Sequence, residues 1–363
     1  MAVRFVQELR LLSPTVARYF ATIAVVGFAI DGGIYAVLLN LYLLRLDYGP
    51  EQIGLINAVG TLTFGLSSLP AGALGARWGS RRMLMLGLFM LLVGCGLMPF
   101  ADMLAPAWRM PWLLVNEIVL YVGLALYFVN TAPYILEVVD PAQRNQIFSL
   151  QTALLSLAAF VGSLVGGLLP PTVAALLGAS TEQPAPYRYA LLVAGLALLP
   201  AILAFRGARP KPVDGQSVAV GQAAEPAAVA AIPPAARAII GLLALIALVR
   251  LLQVSGLAAL TTFFNVYLDS ELLLPTAQIG AIIACARLLG VPAALATSAL
   301  TARFGNRAVV IAASLGTALS ILPIALIPHW GAAGLSFVGV VGLSWIRYAA
   351  STVYFLELVP PSR

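Results

Sequence analysis

Charge is what this sequence has least of. Of its 363 residues only 9% are Asp, Glu, Lys or Arg, while 61% are hydrophobic and the mean hydropathy is +0.98. Soluble domains carry about 25% charged residues, so this chain cannot cover a water-facing surface. Histidine is reduced to one residue, His329, in a loop between apolar runs. The two cysteines, Cys95 and Cys285, sit alone inside apolar runs. That excludes a disulfide framework and a cysteine metal cluster, and leaves them as small residues filling helix interfaces. No Gly-x-Ser-x-Gly, His-Glu-x-x-His or phosphate-cradling glycine loop occurs. No enzyme motif is therefore in view, and neither a metal nor an organic cofactor is expected. The net charge of +6 is scattered over short loops, so a nucleic-acid partner is not expected either.

What is present is a series of apolar runs of about 20 residues, each long enough to cross ~30 Å of hydrocarbon. They do not alternate polar with apolar residues, as strands of a membrane barrel do. The chain therefore reads as an all-α membrane protein. Ten spans are expected, near 16–44, 51–76, 82–100, 111–136, 146–169, 187–205, 238–268, 276–302, 307–327 and 333–359. Gly49-Pro50, Pro106 to Pro111, Pro170-Pro171 and Pro328 punctuate them. Ser13-Pro14 has the form of an N-cap followed by a first-turn proline. Arg4, Arg10 and Arg18 interrupt the start of the chain, so it is not read as a cleavable signal. Between the sixth and seventh spans, residues 207–237 are rich in Pro, Ala and Gly and lack aromatics, the composition of a flexible linker. Residues 1–206 then form a six-helix bundle and 238–363 a second bundle of four.

Arginine placement sets the expected sidedness. With the N-terminus in the cytoplasm, 14 Arg and Lys residues fall in inside loops and three, Arg45, Arg109 and Arg188, fall outside. The linker and the end of the chain at Arg363 are then cytoplasmic too.

The two halves resemble each other. GARWGSRR (Gly75 to Arg82) and TARFGNRA (Thr301 to Ala308) are nearly the same basic turn, 226 residues apart (303 − 77). Arg77, Gly79 and Arg81 match Arg303, Gly305 and Arg307, and Gly54 matches Gly280, all at that offset. YILEVVDPAQR and YFLELVPPSR agree as well, aligning Tyr134, Glu137 and Pro141 with Tyr354, Glu357 and Pro361. Six spans separate the copies. An even number keeps the same side, so the halves are parallel repeats.

On these residues the chain resembles the major facilitator superfamily of secondary transporters. The family's signature between its second and third helices reads here as GALGARWGSRR, with Gly72, Arg77, Gly79, Arg81 and Arg82 in place and Ala76 where the family has an acid. The resemblance implies a cytoplasmic gate in which Glu137, at the end of the fourth helix, meets the motif arginines, with Arg144 nearby and Glu357 as its mirror. It also implies twelve helices. Only two residues follow Pro361, so the sequence reads as C-terminally incomplete, 6 + 4 of an expected 6 + 6 helices; a native ten-span protein is the alternative.

Five ionisable residues lie within spans: Asp31, Glu117, Arg250, Arg287 and Arg347. Buried charge in a membrane is expensive and by default functional. The resemblance places the first, fourth, seventh and tenth helices around a central cavity, and four of the five are on them. Helical spacing adds Tyr35 to Asp31 at i, i+4 and Gln253 to Arg250 at i, i+3; Asn130 lies beside the stripe of Glu117. In one reading these groups bind a polar or anionic solute, while Asp31 or Glu117 takes up a coupling proton. In the other, Asp31 and an arginine form a structural ion pair. A family antiporter motif has its counterpart in GSLVGG (Gly162 to Gly167), with Ser163 in place of proline. That leans toward export, although such glycines also serve close helix packing. The expected protein is a monomeric alternating-access transporter of a bacterial-type inner membrane, with a small solute and the bilayer as partners. A non-transporting sensor or assembly partner with the same fold is the rival.

Overall fold

The computed structural model describes residues 13–207 and 234–358. Side chains within 234–247 and 352–358, and at a few other positions, lie outside the described residues. No strand occurs among the described residues. The helices are α1 (Pro14–Ala29), α2 (Ile34–Arg45), α3 (Pro50–Trp78), α4 (Ser80–Leu97), α5 (Pro106–Val138), α6 (Arg144–Leu177), α7 (Pro184–Arg206), α8 (Pro234–Ser270), α9 (Thr276–Phe304), α10 (Asn306–Ser320), α11 (Leu322–Leu326) and α12 (Trp330–Leu358). The apolar runs of the sequence fall on these helices, the first divided between α1 and α2 and the ninth between α10 and α11. Among the described residues nine stretches are long and apolar enough to cross a membrane, and Thr276–Leu289 is a shorter apolar one.

Helix starts follow the local chemistry. Ser13 caps α1, its Oγ accepting from the Val16 N–H at 3.3 Å, with Pro14 in the first turn. Pro50, Pro106 and Pro184 open α3, α5 and α7 in the same way, since a first-turn proline lacks an N–H that has no intrahelical partner anyway. Pro170-Pro171 behaves differently from the sequence expectation. It lies inside α6, which continues to Leu177 and stops at Gly178 with φ +63°. Prolines are tolerated inside membrane helices, and this pair removes only the N–H donors to the Gly166 and Gly167 carbonyls, four residues back.

The chain divides into two compact units. One holds the described residues 13–207 together with Asn265–Leu288; the other holds 234–264 and 289–358.

In the first unit the helices alternate in direction. At one end Arg18 donates to the Gly207 carbonyl and Arg81 to that of Arg206 at 2.8 Å, which brings the start of α1 and the α3–α4 turn to the end of α7. Tyr19, Tyr134 and Phe205 pack there, with ring centroids 5.5 and 5.4 Å apart. At the other end the close of α2 meets the start of α7 and residues of α8: Arg45 Nη2 lies 3.4 Å from the Tyr187 hydroxyl and 2.8 Å from Asp269 Oδ1. Arg188 at the start of α7 pairs with Asp102 at 2.8 Å.

The repeated turn is realised twice in the same form. Gly79 has φ +90° and Gly305 has φ +78°. Gly79 N–H donates to Gly75 O and Gly305 N–H to Thr301 O, both at 2.9 Å. Met83 N–H reaches Gly79 O and Val309 N–H reaches Gly305 O, both at 3.3 Å. All three positions of each turn are offset by 226 (305 − 79). A side chain at such φ is strained, which is why glycine occupies both turns.

In the second unit α8 and α12 run antiparallel. Phe264 and Phe337 stack with centroids 4.0 Å apart, and the Arg250 guanidinium covers the Tyr348 ring at 5.1 Å.

Candidate functional site

The sequence reads the first span as one helix, with Asp31 and Tyr35 on one face. The structure corrects this: α1 ends at Ala29 and α2 begins at Ile34. The cause is Asp31-Gly32-Gly33. Ile30 N–H and Asp31 N–H both donate to Val26 O at 2.9 Å, and Gly32 turns at φ +81°. α6 presses on the break at Gly162, where any Cβ would run into the Phe28 carbonyl. Ser163 Oγ donates to the Gly32 carbonyl at 2.6 Å. The two residues therefore part company. Asp31 is exposed and has no hydrogen-bond or ion-pair partner among the described residues, while Tyr35 is 4% exposed.

Non-helical backbone at membrane depth leaves polar groups to satisfy. Among the described residues the N–H groups of Gly32, Gly33 and Ile34 have no acceptor. Arg287 of α9 rests on this segment: a Cβ on Gly32 would lie 2.7 Å from its Cζ. An acid, a guanidinium and free backbone donors thus meet midway along a 32-residue span.

Tyr35 links the break to Glu117. Its hydroxyl donates to Glu117 Oε2 at 2.6 Å. Glu117 is fully buried, and its Oε1 has no hydrogen-bond partner. That oxygen faces α3, where a Cβ on Gly60 would lie 3.0 Å from it and 2.6 Å from the Tyr121 ring. Tyr121 is within electrostatic range of both Glu117 and Asp31. Asp31, Tyr35, Glu117, Tyr121 and Arg287 therefore form one neighbourhood. Asn130 is placed elsewhere. It is buried, and its Nδ2 donates to Ala71 O at 3.1 Å and to Leu126 O at 2.9 Å, tying α5 to α3.

In the second unit Arg250 and Arg347 come within electrostatic range of each other, and both are half-buried. Gln253, one turn on from Arg250, is half-buried as well.

The basic turn is used differently from the gate that the family resemblance implies. Ser80 Oγ, and no arginine, donates to Glu137 Oε2 at 2.7 Å. Arg81 caps the end of α7, as above, and Arg144 caps α5 by donating to Leu136 O at 2.9 Å and Val139 O at 3.3 Å. The last carbonyls of a helix lack intrahelical donors and carry the negative end of its dipole, so guanidinium groups suit them. Arg77, Arg82, Arg303 and Arg307 are exposed, with Arg303 over the Phe304 ring at 5.2 Å. Gly72 is in ordinary contact with Val129, its built Cβ 3.6 Å from the Val side chain. The side chain of Glu357 lies outside the described residues.

The sequence reading missed the cluster at the opposite end. Arg45 makes a bidentate pair with Asp269, reaches Thr181 O at 2.9 Å, and lies 3.8 Å from Glu182. Nearby, the Tyr187 and Thr276 hydroxyls are 3.0 Å apart. Asn265 donates to Val37 O at 2.9 Å and Ala36 O at 3.1 Å. Gly167 and Gly280 let α6 and α9 touch, since a Cβ on Gly280 would lie 2.6 Å from Gly167 Cα. The available signal was that Arg45, Arg109 and Arg188 share their end of the chain with Asp102, Glu182 and Asp269.

A model of the Major Facilitator Superfamily matches residues 21–363. Among curated proteins, none matches the sequence. Solved structures do resemble this one. The nucleoside transporter NupG superposes with a TM-score of 0.67 at 14% identity, covering 96% of this chain and 82% of that one. The inward-open xylose transporter XylE from E. coli gives 0.67 at 14%, covering 96% and 84%. A bacterial homologue of the human lysosomal transporter Spinster, inward-facing and unoccupied, gives 0.68 at 16%, covering 96% and 75%.

Proposed function

Because the chain belongs to the Major Facilitator Superfamily, we propose that it carries a small polar solute across the membrane by alternating access, with the break in the first span as part of the path. It is a multi-pass membrane transporter and not an enzyme. One observation supports the proposed path above the rest: Asp31 is exposed and unpaired at mid-span, on backbone that has left the helix. Unwound backbone and a bare carboxylate are tolerated at membrane depth where they line water, not lipid. Arg287 beside them supplies a charge of the opposite sign.

Glu117 serves as the coupling proton site in this reading. A carboxyl group with one oxygen held by Tyr35 and the other unpaired can take up and release a proton at the free oxygen. Asp31 is the solute-facing acid. Outward movement is the direction that the Gly162 to Gly167 run supports by resemblance, though its glycines also have structural uses at the break and against α9. The arginine-rich end, with Arg18, Arg81, Arg144 and Arg206, faces the cytoplasm on the positive-inside bias.

The experiment is solute flux in proteoliposomes, with Asp31→Asn and Arg287→Gln beside the unaltered chain. Loss of flux in both variants, with melting temperatures preserved, is the expected result. Unchanged flux in both removes the break from the path.

A further inference from the structure

Arg287 of α9 lies face-on against the break in the first span. A Cβ on Gly32 would stand 2.7 Å from its Cζ, 2.8 Å from Nε and 3.0 Å from Nη2. A point nearest Cζ and almost as close to two of the nitrogens lies over the guanidinium plane, not at its edge. The N–H edge is therefore directed away from Gly32, and no acceptor among the described residues meets it. Asp31, next in the chain to Gly32, is exposed and equally without a partner among the described residues. Opposite charges so close together at membrane depth are expected to join, and these two do not.

The backbone beside them also lacks partners. Gly32, Gly33 and Ile34 are buried, and among the described residues their N–H groups have no acceptor. Buried backbone donors almost always have one. Lipid headgroups are too far away to supply it. Asp31 is 17 residues from Pro14 (31 − 14) and 14 from Arg45 (45 − 31), the two ends of the span. Either path is about 20 Å or more at the helical rise. The break thus holds an unpaired acid, a guanidinium with an open edge, and donors that need an acceptor.

We propose that the break binds a small organic zwitterion, its carboxylate on the Arg287 guanidinium and its ammonium on Asp31. The edge of a guanidinium takes two carboxylate oxygens at once. The unpaired N–H groups of residues 32–34 are further donors beside it. A plain anion would be repelled by Asp31, and a plain cation by Arg287. A molecule that carries both charges satisfies both side chains and brings no net charge to membrane depth, where net charge is costly. This names the solute class of the proposed path. It rests on that path for the movement of the zwitterion, though not for its binding.

The test uses the full chain in phosphatidylglycerol nanodiscs, whose lipid carries no ammonium. Thermal stability is titrated with glycine, β-alanine and γ-aminobutyrate, which space the two charges differently. Butyrate and butylammonium, each with one of the charges, are the controls at equal ionic strength. At least one zwitterion should stabilise the unaltered chain more than either control does. Asp31→Asn and Arg287→Gln should each weaken that binding by roughly tenfold or more, because each removes one charge partner. Arg287→Lys should weaken it too, since the fork is lost. Asp31→Asn should no longer tell the zwitterion from butyrate, and Arg287→Gln should no longer tell it from butylammonium. No advantage of any zwitterion over the controls in the unaltered chain overturns the proposal, and this comparison needs no variant to fold. A zwitterion advantage that survives both variants overturns it as well. Stabilisation only by added phosphatidylethanolamine assigns the charges to a lipid headgroup and overturns the solute site. A parallel flux assay separates the two readings. Zwitterion binding without flux keeps the site and rejects its place on the path; flux of xylose or uridine that ignores both variants, with no zwitterion advantage, keeps transport and rejects the site.

Discussion

Arg45 and Asp269 form a bidentate ion pair, with Nη1 2.7 Å from Oδ2 and Nη2 2.8 Å from Oδ1. Their side chains are 11% and 9% exposed. They stand 224 residues apart, so the pair ties together distant parts of the chain within the first unit. Removing one partner of a buried pair strands the other charge and costs about 3–5 kcal/mol. Arg45→Gln and Asp269→Asn should each lower the melting temperature in nanodiscs, while the double variant recovers part of the loss. Additive losses would show that the two side chains are not energetically coupled.

Gly32 is the second test. Its φ of +81° is unfavourable for any side chain, and a Cβ would collide with the Arg287 guanidinium. Gly32→Ala should destabilise the protein by about 1–2 kcal/mol from the backbone alone. It should also displace Arg287, so solute flux falls by more than the stability loss explains. Flux at the unaltered level in correctly folded Gly32→Ala would mean that the geometry of the break is immaterial to transport.

Glu117 and Tyr35 separate coupling from folding. Glu117→Gln keeps an acceptor for the Tyr35 hydroxyl and removes the titratable group. Solute accumulation driven by a pH gradient should disappear, while counterflow exchange without a gradient continues. Tyr35→Phe instead leaves Oε2 as unpartnered as Oε1, which should cost about 1–3 kcal/mol of stability. Gradient-driven accumulation that persists in Glu117→Gln would place the coupling proton elsewhere.

The twin turns make a symmetrical prediction. No atom lies within 4 Å of a Cβ built on Gly79 or on Gly305. Any penalty therefore comes from φ and not from crowding. Alanine and asparagine at either position should each cost about 1–3 kcal/mol, because φ +90° with ψ 137° and φ +78° with ψ 156° lie outside the left-handed helical region and are adopted readily only by glycine. Melting curves of the four variants measure this. Unchanged stability in all four variants would mean that the turns relax to ordinary φ.

Much of the architecture is legible in the residue order because it depends on local chemistry. Runs too apolar for water must enter lipid, and lipid admits helices because it offers no partner to a bare backbone. The Ser13-Pro14 start and the paired Gly79 and Gly305 turns are likewise short-range matters of caps and dihedral angles. The site is only partly legible. Asp31, Glu117 and Arg287 stand out as charges in oil, and the structure brings them into one neighbourhood. The same rule gives Asn130 no distinct meaning, and the structure uses it to bind α5 to α3. It also gives no warning that Glu137 would take a serine instead of an arginine.

By itself the sequence determined the all-helical membrane class, the duplicated turn and the short set of intramembrane charges. Each of these follows from a balance struck within a single segment. Only the tertiary structure decided where the first span breaks, because Asp31-Gly32-Gly33 permits a break and the approach of Gly162 and Ser163 from α6 fixes it. The same holds for Arg45 choosing Asp269. Long-range pairing depends on which helices lie side by side, and hydrophobic periodicity carries almost no record of that when nearly every face is apolar.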